Sequence, residues 1–296
     1  MLAPGSLDLG ARMAILVLCA MSLDLLVGYC GLITLGHAAF FGAGAYAAGI
    51  FAVRASADPV AGLVVGGAAA ALLGLLSGVV LLRSRRLTLI MLSLATVLIV
   101  QEAANRWGGV TGGADGLQGI AMSPLLGRFA FDLSGRVAYV YAATTLAFAF
   151  LMFRSLVDSR FGQSLVGIRE NEARMHALGT PVGARLRTAF VISAALAGVA
   201  GALQAQVTEF VALNAVSVEF SGEILIMLIL GGAGRRYGAF LGAPVYVFMQ
   251  DYLAREDPAN WYLWIGLMLL AIVFLAPGGL TAGVAAIARR IRGRRS

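Results

Sequence analysis

The stretch VAGLVVGGAAAALLGLLSGVVLL, residues 60 to 82, contains no charged side chain and a single hydroxyl, that of Ser77. A helix needs about 20 predominantly apolar residues to cross the hydrocarbon core of a bilayer, and this run is long enough. Arg83, Arg85 and Arg86 follow it directly and end the apolar run. We therefore predict a membrane-spanning helix here.

Composition extends that prediction to the whole chain. Of the 296 residues, 60% are hydrophobic and 12% are charged, and the mean hydropathy is +0.88. Soluble domains are about 45–50% apolar, so a polytopic membrane protein is indicated. Further apolar runs lie at Leu87–Ala104, Val137–Phe153, Thr188–Gln206, Phe220–Gly234, Ala239–Leu253 and Trp261–Ala276, and Met13–Val53 holds two more, split near Gly28–Gly36. We predict an all-α fold, one domain over residues 1–296, with about eight or nine transmembrane helices, some of them re-entrant or broken.

The basic residues indicate membrane topology. The net charge is +7, but the arginines lie in short loops between apolar runs and in the tail, so no nucleic acid partner is expected. All 22 basic residues are arginine. A Walker A site needs a lysine at the nucleotide phosphates, so the chain does not bind ATP in that way and no cofactor of its own is expected.

Catalytic and metal sites are not predicted. Cys19 and Cys30 lie in apolar surroundings, which favours buried thiols over a disulfide or metal pair. The two histidines have no cysteine or carboxylate at ligand spacing, and no Ser/His/Asp arrangement is present. An enzyme is therefore not indicated.

Arginine clusters orient the spans. They lie at 83–86, at 154–187, at 235–236 and in the tail at 289–295. Placing all four in the cytoplasm satisfies the positive-inside rule, puts the C-terminus inside and puts the Gly-rich loop 105–136 outside. The N-terminus is outside if both segments before Arg54 cross, and inside if one is re-entrant, which suits Arg12. The run from Met13 meets Asp24 and lacks a cleavage site, so we interpret it as a retained first span.

A charged island interrupts this apolar chain at GIRENEARMHALG, residues 167–179. On a helical wheel Leu165, Ile168, Met175 and Leu178 share one arc, and Arg169, Glu170 and Arg174 face away. Gly179-Thr180-Pro181 supplies a stop signal. The connection 154–187 is therefore predicted to hold an amphipathic cytoplasmic helix. It could lie on the membrane surface, but Glu170 and Glu172 gain nothing beside anionic headgroups, which favours docking into a partner protein.

Several segments, in order, resemble one family. They are GYCGLITLGHAAFFGAGAYAA at 28–48, TGGADGLQGI at 111–120, IRENEARMHALGT at 168–180 with AFVISAALAGVAGALQAQVTEFV at 189–211, ILGGAGRRYGAFLGA at 229–243 and FLAPGGL at 274–280. Together they resemble the LivM-type permeases of branched-chain amino acid ABC transporters.

The resemblance implies a permease subunit of a binding-protein-dependent importer in the bacterial inner membrane. Its partners would be two ATP-binding subunits, which use the ATP, a second, LivH-like permease, a periplasmic solute-binding protein and membrane lipid. The charged helix would couple ATPase closure to the spans through Arg169, Glu170, Asn171, Glu172 and Gly179. The missing lysine agrees independently with a separate ATPase.

Ionisable groups at membrane depth are costly, so each is a candidate for function. We predict that residues of the substrate pathway include His37, in the LGHAAFFG segment, and Glu102 and Glu223, near the outer rim. Glu209 and Glu219 are better suited to docking the binding protein, and Asp24 to a polar contact between helices or subunits.

The solute is expected to be a branched-chain or related amino acid, with urea and short amides as alternatives within the family. An ion-coupled secondary transporter and a structural membrane scaffold are rival hypotheses. The former predicts transport without any ATPase, and the latter predicts no solute-dependent effect when Glu170 or Glu172 is changed.

Overall fold

The computed structural model describes residues 4–84, 86–124, 135–258, 260–275 and 279–281. Within these ranges the regular secondary structure is helical, as predicted. The helices are α1 (Pro4–Asp24), α2 (His37–Arg54), α3 (Pro59–Leu81), α4 (Arg86–Arg106), α5 (Gly108–Thr111), α6 (Arg136–Asp158), α7 (Arg160–Glu170), α8 (Glu172–Ala177), α9 (Val182–Thr208), α10 (Val218–Gly231), α11 (Gly238–Glu256) and α12 (Trp261–Leu275). A π-helical turn, Leu25–Cys30, continues α1.

The apolar runs of the sequence form the long helices. In the described parts of the chain, five segments are long and apolar enough to cross a membrane: Leu7–Cys30, Pro59–Leu81, Leu87–Arg106, Arg136–Asp158 and Val182–Thr208. The shorter helices α2, α10 and α11 pack beside them, and α12 packs against α10 and α11. The chain is thus built as a multi-pass membrane protein. The predicted run Phe220–Gly234 ends early, at Gly231, because Gly232 has a φ of 106° that does not continue a helix.

The bundle has two ends, which we call the α7 side and the opposite side. At the α7 side the end of the π-helical turn contacts α7, since Arg169 donates to the carbonyl of Gly28. At the opposite side Gln206 of α9 donates to the carbonyl of Pro59 over 2.8 Å. Helix α1 therefore starts opposite α7 and runs toward it, and α2 returns.

The described C-terminal segment lies at the α7 side. The hydroxyl of Thr281 donates to the carbonyl of Gly231 over 2.8 Å, next to the turn between α10 and α11. The arginine cluster at 289–295 lies outside the described residues, as does part of the predicted loop 105–136. The rest of that loop, at the opposite side, holds α5 and a run of glycine-rich turns.

Small residues set the centre of the bundle. Helix α3 buries Gly62, Gly66, Gly67, Ala70, Gly74 and Gly78 against α9, which lets the two backbones approach closely. The spacing of these small residues along α3 therefore serves helix packing. Its other face leaves Val64 and Leu76 exposed, as expected for a lipid-facing surface. Cys19 and Cys30 are buried free thiols, also as predicted.

Candidate functional site

The connection between α6 and α9 contains two helices where the sequence analysis predicted one. Ser159 begins α7 by accepting hydrogen bonds from the N–H groups of Phe161 and Gly162. Asn171 is extended, with φ −156° and ψ 98°, and its side-chain oxygen caps α8 by accepting from Arg174 N over 2.9 Å. The prediction of a single helix was therefore wrong at Asn171, because an asparagine is a strong helix N-cap and restarts the chain in a new direction.

The helix α8 ends where the stop signal was predicted. Leu178 closes its last turn, and Gly179 has a φ of 78°, a left-handed conformation that glycine adopts without steric cost. Helix α9 then starts at Val182.

The two helices differ in burial. Leu165 and Ile168 of α7 are buried against the bundle, as the wheel predicted. Helix α8 has no buried residue, and Leu178 is 71% exposed. The arc from Leu165 to Leu178 is therefore not continuous, because the chain turns at Asn171. The part that projects from the bundle is α8.

Arg169 is exposed, as the wheel predicted, but its side chain also reaches the membrane bundle. Its guanidinium donates to the carbonyl of Gly28, and its stem lies over Gly31, where an added Cβ would be 2.6 Å from Arg169 Cγ. A helical wheel describes exposure and does not predict such a contact, because Gly28 lies 141 positions earlier in the chain. Two glycines leave room for this arginine at the end of the first span.

Asp24 lies beside the same contact. It is 2% exposed, and its Oδ1 accepts a hydrogen bond from Gly234 N over 2.7 Å. Gly234 belongs to the turn between α10 and α11. An added Cβ on it would be 3.0 Å from both Arg169 Nη1 and the carbonyl oxygen of Gly28. Asp24, Gly28, Arg169 and Gly234 therefore meet at one point, which we call the α7 junction. Asp24 makes the helix contact that the sequence favoured.

The remaining coupling candidates are exposed at the α7 side. Glu170 and Glu172 flank the Asn171 cap, and Glu172 Oε1 lies 3.8 Å from His176 Nε2, one turn along α8. An acidic residue in the first turn and a basic residue in the last turn both suit the helix dipole. These groups are free to meet another protein, whereas the guanidinium of Arg169 donates to the Gly28 carbonyl.

A second candidate region lies within the membrane bundle, where two helices begin. Ala38 N, in the first turn of α2, donates to Ser221 Oγ of α10 over 3.1 Å, and Leu35 N donates to Ser93 Oγ of α4 over 3.0 Å. Residues 31–36, before α2, form no helix. Transporters built from interrupted helices bind solutes at such helix ends, because free backbone groups and helix dipoles are available there. The break predicted near Gly28–Gly36 is confirmed.

His37 is the first residue of α2 and is fully buried. Its Nε2 lies 3.2 Å from Ser193 Oγ, and Ser193 is the twelfth residue of the 27-residue α9. Its Nδ1 has no hydrogen-bond partner among the described groups. The structure thus places His37 inside the protein at the helix start, in contact with α9.

Comparison with known proteins matches residues 7–273 to the family described as branched-chain amino acid transport system / permease component. The chain belongs to this family. Relatives include the high-affinity branched-chain amino acid transport system permease protein LivM of Salmonella typhimurium, 28% identical, and of Escherichia coli K12, 26% identical; each alignment covers 94% of this chain and 70% of the relative. A probable LivM of Methanocaldococcus jannaschii is 29% identical over 66% of this chain and 58% of its own. No solved structure gives a significant match.

The two predicted rim acids of this permease lie apart. Glu102 is exposed near the end of α4 and pairs with Arg106 one turn later, at 2.5 Å. Glu223 of α10 hydrogen-bonds to the side chains of Tyr246 and Tyr262, with Arg12 nearby. The structure does not gather His37, Glu102 and Glu223 at one site. Across the described ranges, His, Cys, Asp and Glu side chains form no group of three that could hold a metal ion.

The sequence analysis missed the serines that meet the interrupted helices, Ser93, Ser193 and Ser221. Each is buried and contacts a group in the first turn of α2 or in the non-helical segment before it. A serine inside an apolar run often bonds its own helix, so the residue type alone does not reveal these contacts. Their signal in the sequence is weak.

Proposed function

We propose that the chain is the permease subunit of an ATP-driven, binding-protein-dependent importer of the bacterial inner membrane. Its solute is a branched-chain or related amino acid, as the names of its relatives suggest, and ATP is bound and hydrolysed by partner subunits. The family match over residues 7–273 supports the class. In this proposal the α7 side faces the cytoplasm, and the C-terminus lies there.

The coupling role is supported by the structure of the connection between α6 and α9. Helix α7 is packed on the bundle, while α8 projects with no buried residue and carries charges of both signs. A projecting helix of this kind suits a groove in a separate protein better than a lipid surface, because Glu170 and Glu172 would be repelled by anionic headgroups. The groove belongs to an ATP-binding subunit, and Glu170, Asn171 and Glu172 are the residues that meet it.

The remaining partners follow from the same class. Two ATP-binding subunits bind at the α7 side, and a second, LivH-like permease completes the pathway. A periplasmic solute-binding protein docks at the opposite side, where Glu209 is exposed and has a φ of 53° at the end of α9. Glu219 of α10 is also exposed. Basic residues of the binding protein would meet these acids, and lipid covers the exposed apolar faces.

Transport in proteoliposomes tests the proposal. The permease is reconstituted with its partner permease and ATP-binding subunits, and uptake of labelled leucine, urea and acetamide is measured with the binding protein outside and ATP inside. We expect leucine uptake that requires both ATP and the binding protein.

Other outcomes separate the alternatives. ATP-dependent uptake of urea or acetamide without leucine uptake would show that the solute is an amide. The proposed class, an ATP-driven importer, would be unchanged. Uptake driven by an ion gradient in liposomes that contain the permease alone would contradict the proposal and favour a secondary transporter.

A further inference from the structure

The contacts of α7 hold both of its ends to the membrane bundle. At its start, Asp158 precedes the Ser159 cap and forms an ion pair with Arg236 in the turn between α10 and α11. At its end, Arg169 donates to the carbonyl of Gly28. The helix is therefore fixed at two points to elements that begin or end spans. A force on α8 reaches the bundle through α7, in addition to the chain connection from α8 to α9.

The α7 junction adjoins the break in the first membrane segment. Gly31, under the stem of Arg169, begins the non-helical residues 31–36. These residues connect the first span to α2, whose start lies within the bundle against Ser221. Ile33, in the break, is 52% exposed. A displacement of Arg169 would therefore act directly on the segment that positions the start of α2.

The break also opens into a cavity of about 520 Å³. Its lining includes Leu32 and Ile33 of the break, Ile90 of α4, and Arg169 and Glu170 of α7. Space beside the break allows it to move without overlapping other atoms. A packed core would resist the same displacement, because protein interiors are close-packed.

The α7 junction can transmit a displacement of α7 either toward the bundle or away from it. An arginine fork carries five donors in fixed geometry, so its bond to the Gly28 carbonyl has a defined direction. Asp24 keeps the turn at Gly234 against the same carbonyl by accepting from Gly234 N over 2.7 Å. Removal of the arginine leaves α7 packed through Leu165 and Ile168 but without this directional link.

We propose that Arg169 is a positioning residue that transmits movement of α8 to the break at residues 31–36, with Asp24 holding the receiving side in place. The inference rests on the proposed function, since the ATP-binding subunits supply the movement. In this proposal Arg169 acts through its contact with the Gly28 carbonyl, separately from the outward contacts of Glu170 and Glu172.

Two spin labels test this transmission in the assembled importer. Cysteines replace Ala173 on α8 or Ile33 in the break, in a background with Cys19→Ala and Cys30→Ala. Label mobility is compared without nucleotide and after trapping with ATP and vanadate. The junction variants are Arg169→Ala and Arg169→Lys. The matched control is Arg160→Ala, because Arg160 is exposed at the start of α7 and bonds no other described residue.

In the parent complex and in the Arg160→Ala control, we expect both labels to respond to trapping. In Arg169→Ala we expect the response at residue 173 to persist and the response at residue 33 to disappear, with the amount of leucine transported per ATP reduced by about tenfold. Arg169→Lys, which keeps a charged donor on a long stem, should retain part of the response at residue 33. If Arg169→Ala does not assemble, the lysine variant gives the comparison.

The inference is overturned if the label at residue 33 responds fully in Arg169→Ala. Where only Arg169→Lys assembles, a full response in that variant overturns it. Either result leaves the importer function intact. Loss of the response at both positions in a junction variant also overturns it, because Arg169 would then be needed for docking. A silent label at residue 173 in the parent complex contradicts the docking role itself.

Discussion

Gly66 of α3 lies where three helices meet, so adding a single methyl group there should lower the stability of the fold. In Gly66→Ala the new Cβ would be 2.7 Å from the Cβ of Ala202 in α9 and 2.8 Å from the carbonyl oxygen of Gly44 in α2. Favourable contacts between carbon atoms lie at about 3.5–4.0 Å. The carbonyl is part of a helix backbone and cannot rotate away, so α3 must move outward by roughly 1 Å.

The expected loss of stability combines two opposing effects. Overpacking of a close-packed site costs about 1–3 kcal/mol, whereas alanine favours a helix over glycine by about 1 kcal/mol. The net free energy of unfolding should fall by up to ~2 kcal/mol. The matched control is Gly266→Ala on α12, where an added Cβ has no atom within 4 Å and the residue is exposed. This control should be neutral or slightly stabilising.

The free energy of unfolding can be measured on the purified subunit in mixed micelles, by titration with sodium dodecyl sulfate and helical circular dichroism. Leucine transport by the reconstituted importer serves as a check of folding. If Gly66→Ala is as stable as the parent protein, or more stable than Gly266→Ala, then the close approach of α2, α3 and α9 is not the packing that holds this bundle together.

Three further predictions concern the ends of the bundle and its interior. Glu172→Arg should leave membrane insertion intact and lower ATP-dependent leucine uptake at least about tenfold, because it reverses a docking charge; unchanged uptake would argue against docking at Glu172. Gln206→Ala removes a buried donor to the Pro59 carbonyl and should lower the unfolding free energy by about 1–2 kcal/mol in the same titration; no loss would mean that this bond does not stabilise the fold. With the native cysteines replaced, a cysteine at Ala173 should react with an impermeant maleimide in inside-out vesicles alone, and one at Glu102 in right-side-out vesicles alone; the reverse pattern would invert the topology.

The fold was predictable because lipid imposes a simple rule on sequence. A run such as residues 60–82 must be helical to satisfy its backbone, and loop arginines indicate a consistent topology. The ends of the runs were also close to the observed bounds. The start of α10 also had a readable signal, since Ser217 caps the helix at Val218, two residues before the predicted start of the run.

The candidate site was predictable in part. The charged island was located correctly, and Gly179 ends α8 as its residue type indicates. The turn at Asn171 had a readable signal, because asparagine favours the N-cap position, but hydrophobic spacing suggested a continuous arc. The direction of Arg169 had no local signal. It depends on space left by Gly28 and Gly31, more than 130 residues earlier in the chain.

The interrupted start of α2 has a consequence for how the protein is made. Ala38 donates to a serine 183 positions later, so that acceptor has not been synthesised when this segment leaves the ribosome. An unpaired amide exposed to hydrocarbon costs several kcal/mol, so residues 31–38 cannot settle in lipid at that stage. They must remain in the translocon or in water until the later helices arrive. Completion of α10 is therefore the step of biogenesis after which the first half of the protein can reach its final position.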